Sequence, residues 1–215
     1  MRHRIFIAIN LPQDLKKKLI GYQEKWSELP IRWTKEENLH ITLIFLGYLS
    51  DEELLEICKI TKEIALRSQP FLINLNKICY GPPKKPPRSM SPKGSFPRLP
   101  RSSSESGAPR MVWVEGEKSQ EFTSVRDDLE KTLLENFTPD RNEASGARRV
   151  FSPHITLGRI RVWEFRQIEP EERPEVDEDI ALNFEVNSIE VMESQLKRGG
   201  PNYAVLESAP LTNGQ

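Results

Sequence analysis

The 215-residue chain is poor in the side chains that most often carry chemistry, with three histidines, two cysteines and four tryptophans. Cys58 and Cys79 form no C-x-x-C pair, and three histidines spell no credible zinc set, so neither a metal nor another cofactor is expected. Two scattered cysteines read as reduced, buried thiols of a cytoplasmic protein. The apolar run from Ile5 to Ile9 is far too short for a signal core or a membrane-spanning helix, so the expectation is a soluble, intracellular monomer with no membrane partner. An excess of one charge is also missing. With 31 Lys or Arg against 32 acids the net charge is -1, which provides no overall field to draw the protein onto long nucleic acid. A nucleic-acid substrate would have to be held locally, at an end or a short segment. Hydrophobic residues make up 37% and mean hydropathy is -0.57, values low enough to require some irregular chain.

Two of the three histidines open the same tetrapeptide, His40-Ile41-Thr42-Leu43 and His154-Ile155-Thr156-Leu157. In a β-strand, alternate residues point to opposite faces, so each copy aims His and Thr one way and Ile and Leu the other. The apolar pair can enter a core. The polar pair faces a groove, where imidazole can move a proton and a hydroxyl can hydrogen-bond an anionic oxygen. One His-x-Thr alone is more often an ordinary solvated strand than a catalytic one. Two copies in similar contexts turn the balance towards function.

Around these strands the pattern alternates between strand and helix. Arg4 to Asn10 reads as a buried strand, and a helix follows from Pro12 with Leu15, Leu19, Tyr22, Trp26 and Leu29 along one side. Ile31 to Thr34 is a short strand and His40 to Gly47 the first motif strand. Ser50 with Glu53 forms a capping box that opens a helix through Leu54, Ile57, Cys58, Ile64 and Ala65. A strand at Phe71 to Cys79 closes the first half. Residues 82–110 then hold eight prolines, seven serines and seven basic residues against the single acid Glu105. That composition supports no packed core and reads as an inserted basic loop, either simply tolerated or able to help gather a phosphate backbone.

Met111 to Val114 resumes as a strand, and a helix starts at Ser119 with Phe122, Val125, Leu129 and Leu133 on one side. Arg141 to Arg149 is loop-like, and the second motif strand follows. Residues 164–179 hold eight acids and read as a solvated loop or frayed helix. Leu182 to Glu193 is a strand, Lys197 to Pro201 a turn, and Tyr203 to Leu206 the returning partner. Each half thus carries an amphipathic helix, several strands and one motif. The expected architecture is a single α+β domain over 1–215, an internal duplication with antiparallel sheets and the motif strands facing across a cleft.

The paired motifs, with RIFIAINLP, RWTKEENLHITLIFLG, APRMVWVEG, SPHITLGR and ESQLKRGGPNYAVL, resemble the two-histidine (2H) phosphoesterase superfamily. Within it, the chain is most similar to the 2′-5′ RNA ligase-like RNA 2′,3′-cyclic phosphodiesterases. The resemblance covers most of the chain outside 82–108 and 164–179. It implies two lobes with helices outside, and one histidine from each lobe in a shared groove. It also implies that His40 is the proton donor to the leaving 3′ oxygen, that His154 is the base that activates water, and that Thr42 and Thr156 hold the phosphate oxygens.

Chemistry supplies an independent reason for two histidines. In-line displacement at phosphorus puts nucleophile and leaving oxygen on opposite faces, so one imidazole takes a proton while the other delivers one, with no metal required. Thr42 and Thr156, helped by backbone N–H groups or an arginine, would stabilise the non-bridging oxygens. Arg159 is a candidate only if Gly158 marks a bulge, since regular alternation turns it away from His154. Trp33, Phe151 and Tyr203 are candidates for stacking on a base, with core packing as the plainer alternative. The expected partner is RNA ending in a 2′,3′-cyclic phosphate, opened to a 2′-phosphate, with 2′-5′ ligation as the reverse reaction. A phosphodiesterase for 2′-5′ oligonucleotides or another cyclic nucleotide remains open, as does a non-catalytic RNA-binding module.

Overall fold

The computed structural model describes residues 2–82, 108–137, 152–197 and 200–212. The expected loop at 141–149, most of the basic stretch 82–110, the tip of the 197–201 turn and Phe151 lie outside them. Among the described residues the elements run β1 (His3–Asn10), α1 (Gln13–Gln23), β2 (Ile31–Trp33), β3 (His40–Leu49), α2 (Asp51–Leu66) and β4 (Phe71–Gly81). Then come β5 (Met111–Gly116), α3 (Gln120–Asn136), β6 (His154–Ile160), α4 (Val162–Gln167), β7 (Asp177–Val186), β8 (Ser188–Lys197) and β9 (Gly200–Pro210). All strand pairings are antiparallel, and helices accompany the sheet, so the fold is α+β.

The strands follow the order β7-β4-β5-β6-β3-β1-β8-β9, with β2 pairing β6 beside β3. This departs from the expected pair of separate sheets. The two motif strands are joined edge to edge, through the one bridged pair Ile41 and Ile155. Each of these isoleucines is 0% exposed, so the hydrophobic side of both motifs seals the seam while the histidines occupy the opposite side. The halves of the sheet are also not the halves of the chain. β4, expected to complete the first half, pairs with β5 and β7, whereas β8 and β9 reach back to β1. Local periodicity specifies a strand and its faces, not its neighbour, and long-range pairing decided the outcome.

The expected single strand from Leu182 to Glu193 is two strands in different halves of the sheet. Val186 and Ile189 are both buried across the exposed Asn187, which breaks the period of two. Within 164–179, where a solvated loop or frayed helix was expected, α4, a 3-10 turn at Pro170–Glu172 and the start of β7 are found. Phe165 anchors α4, 2% exposed and edge-on to Tyr80.

Helix packing closes the core. α2 lies against β8, β9 and β1 and meets α3, and α1 sits under β6. The capping box expected at Ser50 is present, with the Glu53 N–H donating to Ser50 Oγ at 3.2 Å and the Ser50 N–H to Glu53 Oε2 at 2.7 Å. Ser50→Ala is expected to lower stability by about 1 kcal/mol, since the Glu53 N–H in the first turn loses its acceptor. Chemical unfolding checks this, and an unchanged midpoint would contradict it.

Both motif strands carry a bulge at the same point. In the β1–β3 ladder, Ile7 faces Ile44 and Ala8 faces Thr42, leaving Leu43 without a partner. In β5–β6, Val112 faces Gly158 and Trp113 faces Thr156, leaving Leu157 without one. An extra residue resets the alternation. The fifth residue after each histidine, Phe45 or Arg159, therefore returns to the histidine side.

Candidate active site

His40, Thr42, His154 and Thr156 line one cleft of about 300 Å³, together with Arg159. The strand alternation inferred for the two motifs accounts for the four motif residues, and the Leu157 bulge accounts for Arg159. That bulge is held in place: the Leu157 carbonyl accepts from the Thr34 N–H at 2.8 Å and from Gln23 Nε2 at 3.3 Å. Gly158 is needed for the same geometry. A Cβ there would sit 2.4 Å from Ile31 Cγ2 and 2.8 Å from Trp33 Cε3, prising β2 away from β6.

Both histidines are oriented in the same way. His40 Nδ1 lies 2.7 Å from the Asn38 carbonyl and His154 Nδ1 lies 2.9 Å from the Ser152 carbonyl, in each case two residues back. A carbonyl only accepts, so each Nδ1 carries the proton, and in the neutral ring the lone pair is on Nε2. His40 Nε2 is 2.9 Å from Thr42 Oγ1, whose hydroxyl donates to the neutral imidazole.

The aromatic surroundings differ. His154 stacks on Trp113 with centroids 3.9 Å apart and planes at 25°, while His40 meets Phe6 at 5.0 Å and the edge-on ring of Tyr203 at 5.1 Å. Asn38 fixes that second arrangement. Only 5% exposed, it donates through Nδ2 to the Pro201 carbonyl at 2.9 Å and accepts from the Tyr203 N–H at 3.3 Å, so one residue orients His40 and anchors β9 beside it.

Burial pushes His40 down to about 4, with further lowering from Lys16 and His154 and partial relief from the Asn38 hydrogen bond. Burial also lowers His154, opposed by its Ser152 hydrogen bond and by Glu115. Both rings are therefore neutral at pH 7 in the free protein. An anion between them would favour the charged form of each.

Of the aromatics named from sequence, Trp33 and Tyr203 line the cleft. Both also pack against the core, so each has a wet edge and an apolar one. Arg4, Arg32, Lys35, Asn38 and Phe45 line it as well and carried no signal in the sequence beyond their residue types. Their presence depends on which strands pair. Among the described residues no cluster of His, Cys, Asp or Glu has metal-binding geometry, and no helix is long and apolar enough to cross a membrane. Cys58 and Cys79 are free thiols, half-buried and not fully enclosed as expected.

Residues 9–90 match the family described as LigT-like phosphoesterase. A protein of Aeropyrum pernix named RNA 2′,3′-cyclic phosphodiesterase is 30% identical over 83% of this chain and 85% of its own length. One of Methanocaldococcus jannaschii with the same name is 27% identical over 95% and 98%. A crystal structure from Thermus thermophilus superposes with a TM-score of 0.75 at 25% identity, covering 99% of both chains. The Escherichia coli LigT complex with 3′-AMP has the same fold, with a TM-score of 0.69 at 22% identity and 99% coverage of each chain.

Proposed function

The chain belongs to the LigT-like phosphoesterase family, and on that premise we propose that it is an RNA 2′,3′-cyclic phosphodiesterase that opens the cyclic end to a 2′-phosphate. One observation carries the reading: two imidazoles from adjoining strands, each with Nδ1 tied to a carbonyl, share a cleft with two threonine hydroxyls. This arrangement suits in-line chemistry. Water attacks phosphorus from the His154 side, and its proton passes to His154 Nε2 as the P–O bond forms. The P–O3′ bond breaks on the other side, and His40 Nε2–H protonates the departing O3′. Thr42 and Thr156 donate to the non-bridging oxygens, with Arg159 adding positive charge on the β6 side.

The donor role of His40 follows the resemblance, and the electrostatics add a condition. An imidazole held at about 4 in the free protein is a poor store of a proton, so the charge of the bound phosphate is what makes His40 an acid. This has a consequence for pH dependence. The free enzyme is singly protonated only between its two lowered values, so the optimum of kcat/KM lies below 6.5. In the complex the phosphate raises both values, so the optimum of kcat lies at higher pH. Separate profiles of the two quantities check this, and coincident optima above pH 6.5 would contradict it.

A 2′,3′-cyclic phosphate requires a 2′-hydroxyl, so the substrate is RNA and not DNA. With a 5′-hydroxyl in place of water, the reverse sequence forms a 2′-5′ linkage. A monomer in the cytoplasm fits a site built from one chain and two free thiols. The direct test is an oligoribonucleotide ending in a 2′,3′-cyclic phosphate, incubated with the protein in excess EDTA. The expected product ends in a 2′-phosphate at an undiminished rate. A 3′-phosphate, or loss of turnover with chelator, contradicts the proposal.

A further inference from the structure

Resting on that reading, we infer that Trp113 is a positioning residue for the base: the face of its indole stabilises the imidazolium that forms when His154 takes the proton from water. His40, which gives a proton up, has no such support.

Three features of β5 and its neighbours carry the inference. The first is the stack. The imidazole of His154 lies over the Trp113 ring with centroids 3.9 Å apart and planes at 25°, within reach of the negative charge that an indole presents on its face. His40 meets its aromatic neighbours otherwise, at 40° to Phe6 and 89° to Tyr203, with centroids 5.0 and 5.1 Å away. A cation gains most over a parallel face, so the pairing of β5 with β6 favours charge on one histidine and not on the other. The division matches the work of the pair. As the P–O bond forms, the water proton moves to His154 Nε2 and that ring becomes positive, whereas His40 must release its proton to O3′. A π face beneath His40 would hold the proton back.

The second feature is what the indole does not do. Trp113 is not among the residues lining the cleft, so it acts on substrate only through His154. Its Nε1 is buried and has no hydrogen-bond partner among the described residues. A stranded donor is a cost that Phe would avoid, and the broader, more electron-rich face of Trp is what offsets it. The third is Gly81 on β4. A Cβ there would fall 2.2 Å from Trp113 Cδ2 and 2.5 Å from Cγ, so the absence of a side chain lets the indole lie where His154 can stack on it. The charged groups facing that imidazole are Glu115, directly opposite on β5, and His40 across the seam on β3, with Arg159 farther along β6. Glu115 also favours the charged ring, and a change confined to Trp113 leaves all three in place.

The test replaces Trp113 alone with tetrafluorotryptophan in the full chain, which keeps the shape of the indole and drains the negative charge from its face. Since Nε1 makes no hydrogen bond, the face is what changes. The nitrogen-15 titration of the histidines gives the first readout. The midpoint of His154 should fall by about half a pH unit to one unit, the scale of a cation–π contact, with His40 moving less and His3 unmoved. Turnover gives the second. On a cyclic-phosphate RNA end kcat should fall by about three- to tenfold with KM little changed. Trp113→Leu should show the same loss, part of it restored in Trp113→Phe, which keeps a face. A His154 midpoint that fluorination leaves in place overturns the inference however slow Trp113→Leu is, since packing alone then explains the stack. A lowered midpoint with kcat unchanged overturns it too, because the imidazolium then plays no part in the slow step. If the midpoint falls while the wild type hydrolyses no cyclic end, the stacked pair stands and the proposed reaction fails.

Discussion

His40→Ala and His154→Ala should each lower kcat on a cyclic-phosphate RNA end by roughly 10²- to 10⁴-fold, the range for loss of a positioned acid or base. The two losses should not multiply. Once one imidazole is gone the concerted transfer is already broken, so the double variant should be little worse than either single one. Folding is not the expected cause. His40 and His154 lie on the cleft side of strands whose buried faces, Ile41, Leu43, Ile155 and Leu157, are untouched. Near-wild-type turnover in either variant, with the fold shown intact by circular dichroism, would remove that histidine from the mechanism.

Thr42→Val and Thr156→Val have the next largest expected effect. Each removes one hydroxyl aimed at the charge that develops on the phosphate, and losing one such donor costs about 10²- to 10³-fold in kcat. The two variants should differ in one respect. The Thr42 hydroxyl also donates to His40 Nε2 at 2.9 Å, which favours the neutral ring, so Thr42→Val should raise the titration of His40 and move the acid limb of the rate profile. Thr156→Val should lower the plateau and leave that limb in place. Identical profiles for the two variants would contradict the asymmetry.

The parts of this molecule that could be read from the chain are those written in local pattern. The His-x-Thr alternation, the Ser50 and Glu53 capping box and the apolar faces of α1, α2 and α3 each depend on residues within a turn or two of one another. Arg159 was legible only as a condition, because Gly158 hinted at a bulge without showing that Leu157 would be the residue left over. Arg32 carried no hint at all. Its place in the cleft comes from standing opposite Arg159, 127 positions away, once β2 lies against β6.

The hairpin of β8 with β9 is local and is found as expected, whereas the pairing of β4 with β5 and β7 and the splitting of 182–193 between β7 and β8 lie beyond that limit. A period of two says which face of a strand is buried and nothing about which strand will lie beside it. Trp113 shows the limit within the site. It sits in an ordinary strand pattern, and its stacking on His154 follows from the pairing of β5 with β6.

The central claim is that His40 and His154 act on one phosphate as a pair, and nitrogen-15 NMR of the imidazoles reads it directly. With only three histidines in the chain the spectrum is simple. His3, tied to Glu193 at 2.7 Å and Asp51 at 2.8 Å and raised by both contacts, serves as the internal reference. In the free protein at pH 7, His40 and His154 should both be neutral with the proton on Nδ1. Titration with an oligoribonucleotide ending in a 2′-phosphate should move both Nε2 signals along one binding curve, with at least one ring becoming protonated. A ligand that saturates the protein while either ring stays unmoved would contradict the account.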